Sequence, residues 1–196
     1  MLPLSNAGRD WLLVVAREAL TAAARGESYH PPKAPSHLPP ADREEVERPR
    51  AAFVTLHHDG QLRGCIGHTA TDTPLRVVVA EMTSAAALED ARFPPVTPAE
   101  VPGVELEISV LSPFFPISPG QIVPGVHGLV VQRGFCRGLL LPQVATAYHW
   151  DAGRLLEETC RKAGLPPEAW KHGASVQGFT AELIRQRSSE APQECE

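Results

Sequence analysis

Apolar positions at helical spacing open the chain. Between residues 9 and 25, Leu12, Val15, Ala16, Ala19, Leu20 and Ala23 fall on one stripe, and Gly26 is placed to end the helix. Residues 30–41 contain five prolines, which remove amide donors and fix φ, so the pattern predicts an extended connector. Residues 51–56 carry β-branched and aromatic types, Asp59-Gly60 supplies turn chemistry, and residues 62–66 return. This reads as a β-hairpin whose second strand carries Cys65. Thr73 as N-cap and Pro74 as first helical residue then precede Leu75, Val78, Val79, Met82, Ala85 and Ala86 on one helical face.

Strict alternation follows in Val104–Leu111, with Val104, Leu106, Ile108 and Val110 on one side and Glu105, Glu107 and Ser109 on the other. That is a strand with one apolar face. Residues 128–132 and 139–141 predict two strands joined through the Gly134 region, residues 151–163 a helix ended by Gly164, and residues 176–184 a segment that closes a sheet. Strands arrive as hairpins rather than alternating with helices, so the expected class is α+β with a largely antiparallel β-sheet and flanking helices.

Composition narrows the function classes. With 196 residues, 43% of them hydrophobic, the chain can bury a sizeable core, and one domain is expected over residues 1–185, with room for two lobes. The polar residues 186–196 are expected to form a disordered tail, which sets Cys195 aside from any site. The four cysteines form no C-x-x-C pair, so neither a disulfide framework nor a cysteine-rich zinc module is indicated, and a reducing, cytoplasmic setting is the default. No apolar run reaches membrane-spanning length, and a net charge of −5 without a Lys/Arg stripe argues against a broad nucleic-acid surface. The mixed charges from Asp42 to Arg48 read as a solvated face.

Candidate chemistry centres on Arg63-Gly64-Cys65-Ile66-Gly67. In a regular strand Arg63 and Cys65 project from one face and Leu62 and Ile66 from the other, which would set a guanidinium beside the sulfur. Gly64 and Gly67 would leave room for a bound molecule, or would mark a bulge around a small buried cysteine. Cys65 and His68 have C-x-x-H spacing without a second ligand pair, and no metal site is expected. Asp90 and Arg92 sit where the second helix must end, before Phe93-Pro94-Pro95, and there they either build a polar pocket or hold the loop. Glu107 gains interest only if its strand face is covered, and His127 before Gly128 is a candidate base or donor. No dinucleotide fingerprint, phosphate loop, nucleophile elbow or H-E-x-x-H is present, and no cofactor is expected.

The run Gly60-Gln61-Leu62-Arg63-Gly64-Cys65-Ile66-Gly67 resembles the signature of the AMMECR family, called AmmeMemoRadiSam system protein A in bacteria. Further blocks support the resemblance: Ala85-Ala86 with Asp90, Arg92 and Phe93, then Glu107-Ile108-Ser109-Val110-Leu111, His127-Gly128, Leu141-Pro142-Gln143-Val144-Ala145, Trp150-Asp151 and Lys162-Ala163-Gly164-Leu165. The resemblance implies a two-lobed α+β domain and an association with Memo-like and radical SAM proteins. It suggests a pocket around Arg63, Cys65, Asp90, Arg92, Glu107 and His127. The functional expectation is a protein that processes an unknown small molecule, with Cys65 as nucleophile or redox-active thiol, Arg63 lowering its pKa or binding an anion, and Glu107 or His127 handling protons. The alternative is a non-catalytic binding or adaptor module that presents the same residues to a protein partner.

Overall fold

The computed structural model describes residues 3–69 and 72–186, so the expected tail with Cys195 lies outside the described residues apart from Gln186. Two compact units share the chain: one runs up to Val110 and resumes at Leu183, and the other is Leu111–Glu182.

In the first unit, helix α1 (Asn6–Ala24) buries Leu12, Val15, Ala16, Ala19, Leu20 and Ala23, the stripe expected from the sequence. It ends at Gly26, whose φ of 73° suits a residue without Cβ and brings the Glu27 N–H onto the Ala22 carbonyl. The proline-rich connector gives way to a short helix the sequence reading missed, α2 (Pro40–Glu47). The expectation of a solvated charged face fails here. Asp42, Glu45 and Val46 recur at helical spacing and are buried, Asp42 accepting from the Ser5 N–H at 2.9 Å and from its hydroxyl, and Glu45 pairing with buried Arg50. Each buried charge has a partner, as burial of ionised groups demands.

Strands β1 (Ala52–His58) and β2 (Gln61–His68) form the expected hairpin. Its two-residue turn, Asp59-Gly60, has positive φ at both positions (51° and 71°), the chemistry of a type I′ turn. Helix α3 (Leu75–Leu88) follows, but Thr73 does not cap it: Pro74 occupies the cap position, and the Leu75 N–H donates to the Arg48 carbonyl instead. Strand β3 (Val104–Leu111) pairs antiparallel with β1. The sheet order is β2-β1-β3-β8, where β8 is Ala181–Arg185. Val54, Leu56, Leu106 and Ile108 on one sheet face join the α1 stripe and Leu75, Val78 and Val79 of α3 in the core. Burying this many aliphatic side chains, each contributing about 1.5–3 kcal/mol, is what fixes the sheet against the helices.

In the second unit, β4 (Phe115–Pro116), β5 (Gly128–Arg133), β6 (Cys136–Leu140) and β7 (Ser175–Phe179) form an antiparallel sheet of order β4-β7-β5-β6. Helices α4 (Pro142–Ala147) and α5 (Ala152–Lys162) complete it, the latter capped by the Asp151 carboxylate on the Arg154 N–H at 2.7 Å. Leu155 and Leu156 of α5 pack with Leu129 and Leu140 of the sheet. The segment expected to close one sheet serves two. At Thr180 the chain leaves β7 for β8, and there Thr180 and Ser112 exchange two hydrogen bonds of 2.9 Å, Thr180 N–H to Ser112 Oγ and Ser112 N–H to the Thr180 carbonyl. The fold is α+β with antiparallel sheets.

The hairpin carries one irregularity. Leu56 opposes Gly64 whereas His57 opposes Leu62, leaving Arg63 as an extra, bulged residue. Gly64 therefore faces the helices, where a Cβ would overlap the Ala86 carbonyl oxygen of α3, while a Cβ on Gly67 would meet the Phe53 ring on the neighbouring strand. The space beside both glycines is filled by the protein itself. Gly64→Ala is expected to lower stability by about 1–3 kcal/mol in chemical denaturation, because helix backbone must shift, and Gly67→Ala by less, because a side chain can turn.

Candidate functional site

The bulge decides which way Cys65 faces. Continuing the register of the turn without it would set Cys65 opposite Val54 in the core; with it, Cys65 opposes Thr55, and Thr55 in turn opposes Glu107 on β3. A row Cys65, Thr55, Glu107 thus crosses three strands on the sheet face away from the helices. The Thr55 hydroxyl donates to Cys65 Sγ at 3.2 Å, and the Glu107 carboxylate accepts from Arg185 Nε at 2.7 Å. Thr55 and Glu107 are each 7% exposed and the thiol is half-buried, so the polar side of β3 is buried at Glu107 and Ser109, while Glu105 is exposed.

On the outer side of β2, the Cys65 N–H donates to Asp90 Oδ2 at 2.9 Å. The same carboxylate accepts from Arg92 three times: from its N–H (3.2 Å), from Nε (2.9 Å) and from Nη2 (2.6 Å). Asp90 is buried, and the Arg92 hydrogen bond first, then the Cys65 and Arg92 amides, hold its carboxyl well below the ordinary range against the opposing effect of burial. The Arg92 guanidinium is raised reciprocally by its hydrogen bond to Asp90, with further contributions from the charges of Asp90 and Cys65. It lies 5.3 Å over the Phe93 ring, and its side chain is 56% exposed. Asp90 and Arg92 thereby hold the loop after α3 to the edge of β2 and place a cation one carboxylate away from the Cys65 backbone.

The cation expected at the sulfur was Arg63, with Leu62 on the opposite face. The bulge overturns both expectations: Leu62 opposes His57 on the Thr55 side, and the Arg63 guanidinium is engaged elsewhere. Its Nε reaches Glu100 Oε1 at 2.9 Å, Nη1 the Pro94 carbonyl at 2.8 Å and Nη2 the Pro95 carbonyl at 3.3 Å. Arg63 is thus the anchor of the proline-containing loop after Arg92. His127 belongs to the second unit, where its Nδ1 accepts from the Val123 N–H at 3.0 Å and its ring meets Phe115 edge-on. Among the described residues no group of three or more His, Cys, Asp or Glu side chains is placed to hold a metal ion, and no helix is long and apolar enough to cross a membrane.

Sequence reading missed Thr55, Glu100 and Arg185. Thr55 is the one with a readable signal, since counting back from the Asp59-Gly60 turn with one bulged residue puts it opposite Cys65; Glu100 and Arg185 come from distant segments that only the tertiary fold brings in.

Fold and site together define a two-unit α+β protein with a half-buried thiol on a polar sheet face. Residues 13–184 match the AMMECR1 family, and the chain belongs to it. A protein of Methanothermobacter thermautotrophicus is 43% identical over 175 residues, covering 86% of this chain and 88% of the relative. One of Methanosarcina acetivorans is 39% identical over 189 residues, covering 93% of each. The crystal structure of PH0010 from Pyrococcus horikoshii matches with a TM-score of 0.83 at 35% identity, covering 92% of both chains.

The Arg63–Glu100 anchor gives a signed pH dependence. Hydrogen bonds from Arg63 first and then from Thr97 hold the Glu100 carboxyl down at about 2 from its ordinary 4.5. A depressed carboxyl stabilises the fold fully above its unfolded value and loses that contribution as pH falls through its folded one. The stability gap between the natural protein and Glu100→Gln, measured by chemical denaturation, is expected to stay constant from neutral pH to about 4.5 and to close between 4.5 and 2. A gap unchanged across that window would remove Glu100 from the anchor.

Proposed function

We propose that this protein processes a small molecule at the Cys65 sulfur. The observation that carries the reading is the setting of that sulfur: half-buried, accepting a hydroxyl hydrogen bond from Thr55, on a residue whose N–H shares Asp90 Oδ2 with the Arg92 guanidinium. A donor and a cation at a thiol favour negative charge on sulfur in the step where it attacks. Glu107, one strand beyond Thr55, supports a proton-handling part, with Arg185 orienting its carboxylate. Arg63 acts through the loop it anchors and Gly64 and Gly67 through the packing of the hairpin, whereas His127, in the second unit with Nδ1 engaged by Val123, is given no part. In this reading the protein is one functional domain over residues 1–185 and works in the cytoplasm beside the Memo-like and radical SAM proteins with which the family resemblance associates it.

Competitive labelling with iodoacetamide, read by peptide mapping, tests the proposal. Cys65 is expected to react several-fold faster than the exposed Cys136, itself next to Arg137 and therefore a stringent reference. Thr55→Val is expected to slow Cys65 and leave Cys136 unchanged. A Cys65 slower than Cys136 and indifferent to Thr55→Val would overturn the thiol reading.

A further inference from the structure

The Arg92 guanidinium has more donors than its carboxylate partner uses. Of its five N–H groups, that of Nε and one of the two on Nη2 face Asp90, while Nη1 has no hydrogen-bond partner among the described residues. The edge formed by Nη1 and Nη2 therefore points away from Asp90 on a side chain that is more than half exposed. Its position is set in advance, by the two-point contact with Asp90 on one side and by the Phe93 ring beneath it. Such a guanidinium loses little conformational freedom on binding, and its planar fork matches the spacing of two oxygens on a carboxylate or phosphate. Of the other arginines, Arg63 directs Nε, Nη1 and Nη2 to Glu100, Pro94 and Pro95. Arg185 is likewise exposed and directs Nε to Glu107, but it stands on β8, three strands from Cys65. Asp90 offsets part of the charge of Arg92, but its own charge is shared among four donors, one of them the Cys65 amide.

We infer that the molecule met by Cys65 carries an oxyanion, a carboxylate or a phosphate, which the outer edge of Arg92 holds beside the sulfur; the inference rests on the reading of Cys65 as the reacting atom. The Cys65 N–H and Arg92 Nη2 share one oxygen, Asp90 Oδ2, at 2.9 and 2.6 Å, so the guanidinium stands beside the residue that carries the sulfur. An anionic group on Arg92 directs an adjoining electrophilic carbon towards the thiol, in the way that positioning by remote binding groups assists reaction.

Two alkylating reagents that differ only in charge isolate this claim from general thiol reactivity. With iodoacetate and iodoacetamide alike, the sulfur lone pair forms an S–C bond as the C–I bond breaks and iodide leaves. The ratio of the iodoacetate rate to the iodoacetamide rate at Cys65 is expected to exceed that of the neutral thiol N-acetylcysteine amide several-fold. It is expected to fall to the model value in Arg92→Gln and to shrink with added sodium chloride. A second measurement needs no reactive thiol. In Cys65→Ser, sodium phosphate or sodium acetate is expected to raise the melting temperature above a sodium chloride control of equal ionic strength, and Arg92→Gln is expected to abolish the rise. A rise with phosphate alone assigns a phosphate group, and a rise with acetate alone a carboxylate. A ratio equal to that of the model thiol, unaffected by Arg92→Gln and without any anion-specific rise, would overturn the anion site and leave the thiol reading standing. Slow reaction with both reagents alongside an Arg92-dependent rise would do the reverse.

Discussion

One extra residue in a hairpin governs this site. The bulge at Arg63 shifts the pairing of β2 by one position, and because strand side chains alternate, it exchanges which residues face the helices and which face away. Gly64 turns under α3, where no side chain fits against the Ala86 carbonyl, and Cys65 turns out to meet Thr55. The bulged Arg63 is free of the ladder and ties down the loop containing Pro94, Pro95 and Glu100. The short signature around Cys65 thus has a physical division of labour: an anchor, a contact too close for a side chain, and a thiol.

The second constraint is the Asp90 carboxylate. β2 is the edge strand of its sheet, and the Cys65 amide on that edge would be left without a strand partner. Asp90 satisfies it and in the same stroke fixes Arg92, so backbone position and local charge at the thiol depend on one buried group. Burying a carboxylate is costly unless donors surround it, and four do. On the other side of the thiol, Thr55 and the Glu107–Arg185 pair extend the polar row across the sheet. Charge is therefore placed at both ends of a row whose middle is the Thr55–Cys65 contact.

Much of the scaffold is legible in the residues. The α1 stripe, the Asp59-Gly60 turn, the alternation of β3 and the Asp151 cap and Gly164 stop of α5 are local signals, and local backbone preference suffices to read them. What fails to show is non-local. Helix α2 hides in a charged run because its buried face is Asp42 and Glu45, polar groups made tolerable only by Ser5 and Arg50. The change of sheet at Thr180 depends on Ser112, far away in sequence. At the site, Cys65, Asp90 and Arg92 are legible as candidates, but assigning the cation at the sulfur to Arg63 goes wrong for a single reason: it takes β2 as a regular strand, whereas the glycines allow a bulge without fixing its position.

The site depends on the register that puts Cys65 opposite Thr55. Cys65 directs its amide to Asp90 rather than to Thr55, which marks the two as a pair with closely approaching side chains, and facing strand residues of this kind lie within disulfide reach. In protein with Cys136, Cys160 and Cys195 replaced by alanine, mild oxidation of the Thr55→Cys variant is predicted to link position 55 to Cys65, seen as a loss of two mass units and a crosslinked peptide. The Val54→Cys variant is predicted to form no such link. Linkage from position 54 and none from position 55 would contradict the bulge, and with it the placement of the thiol on the polar face.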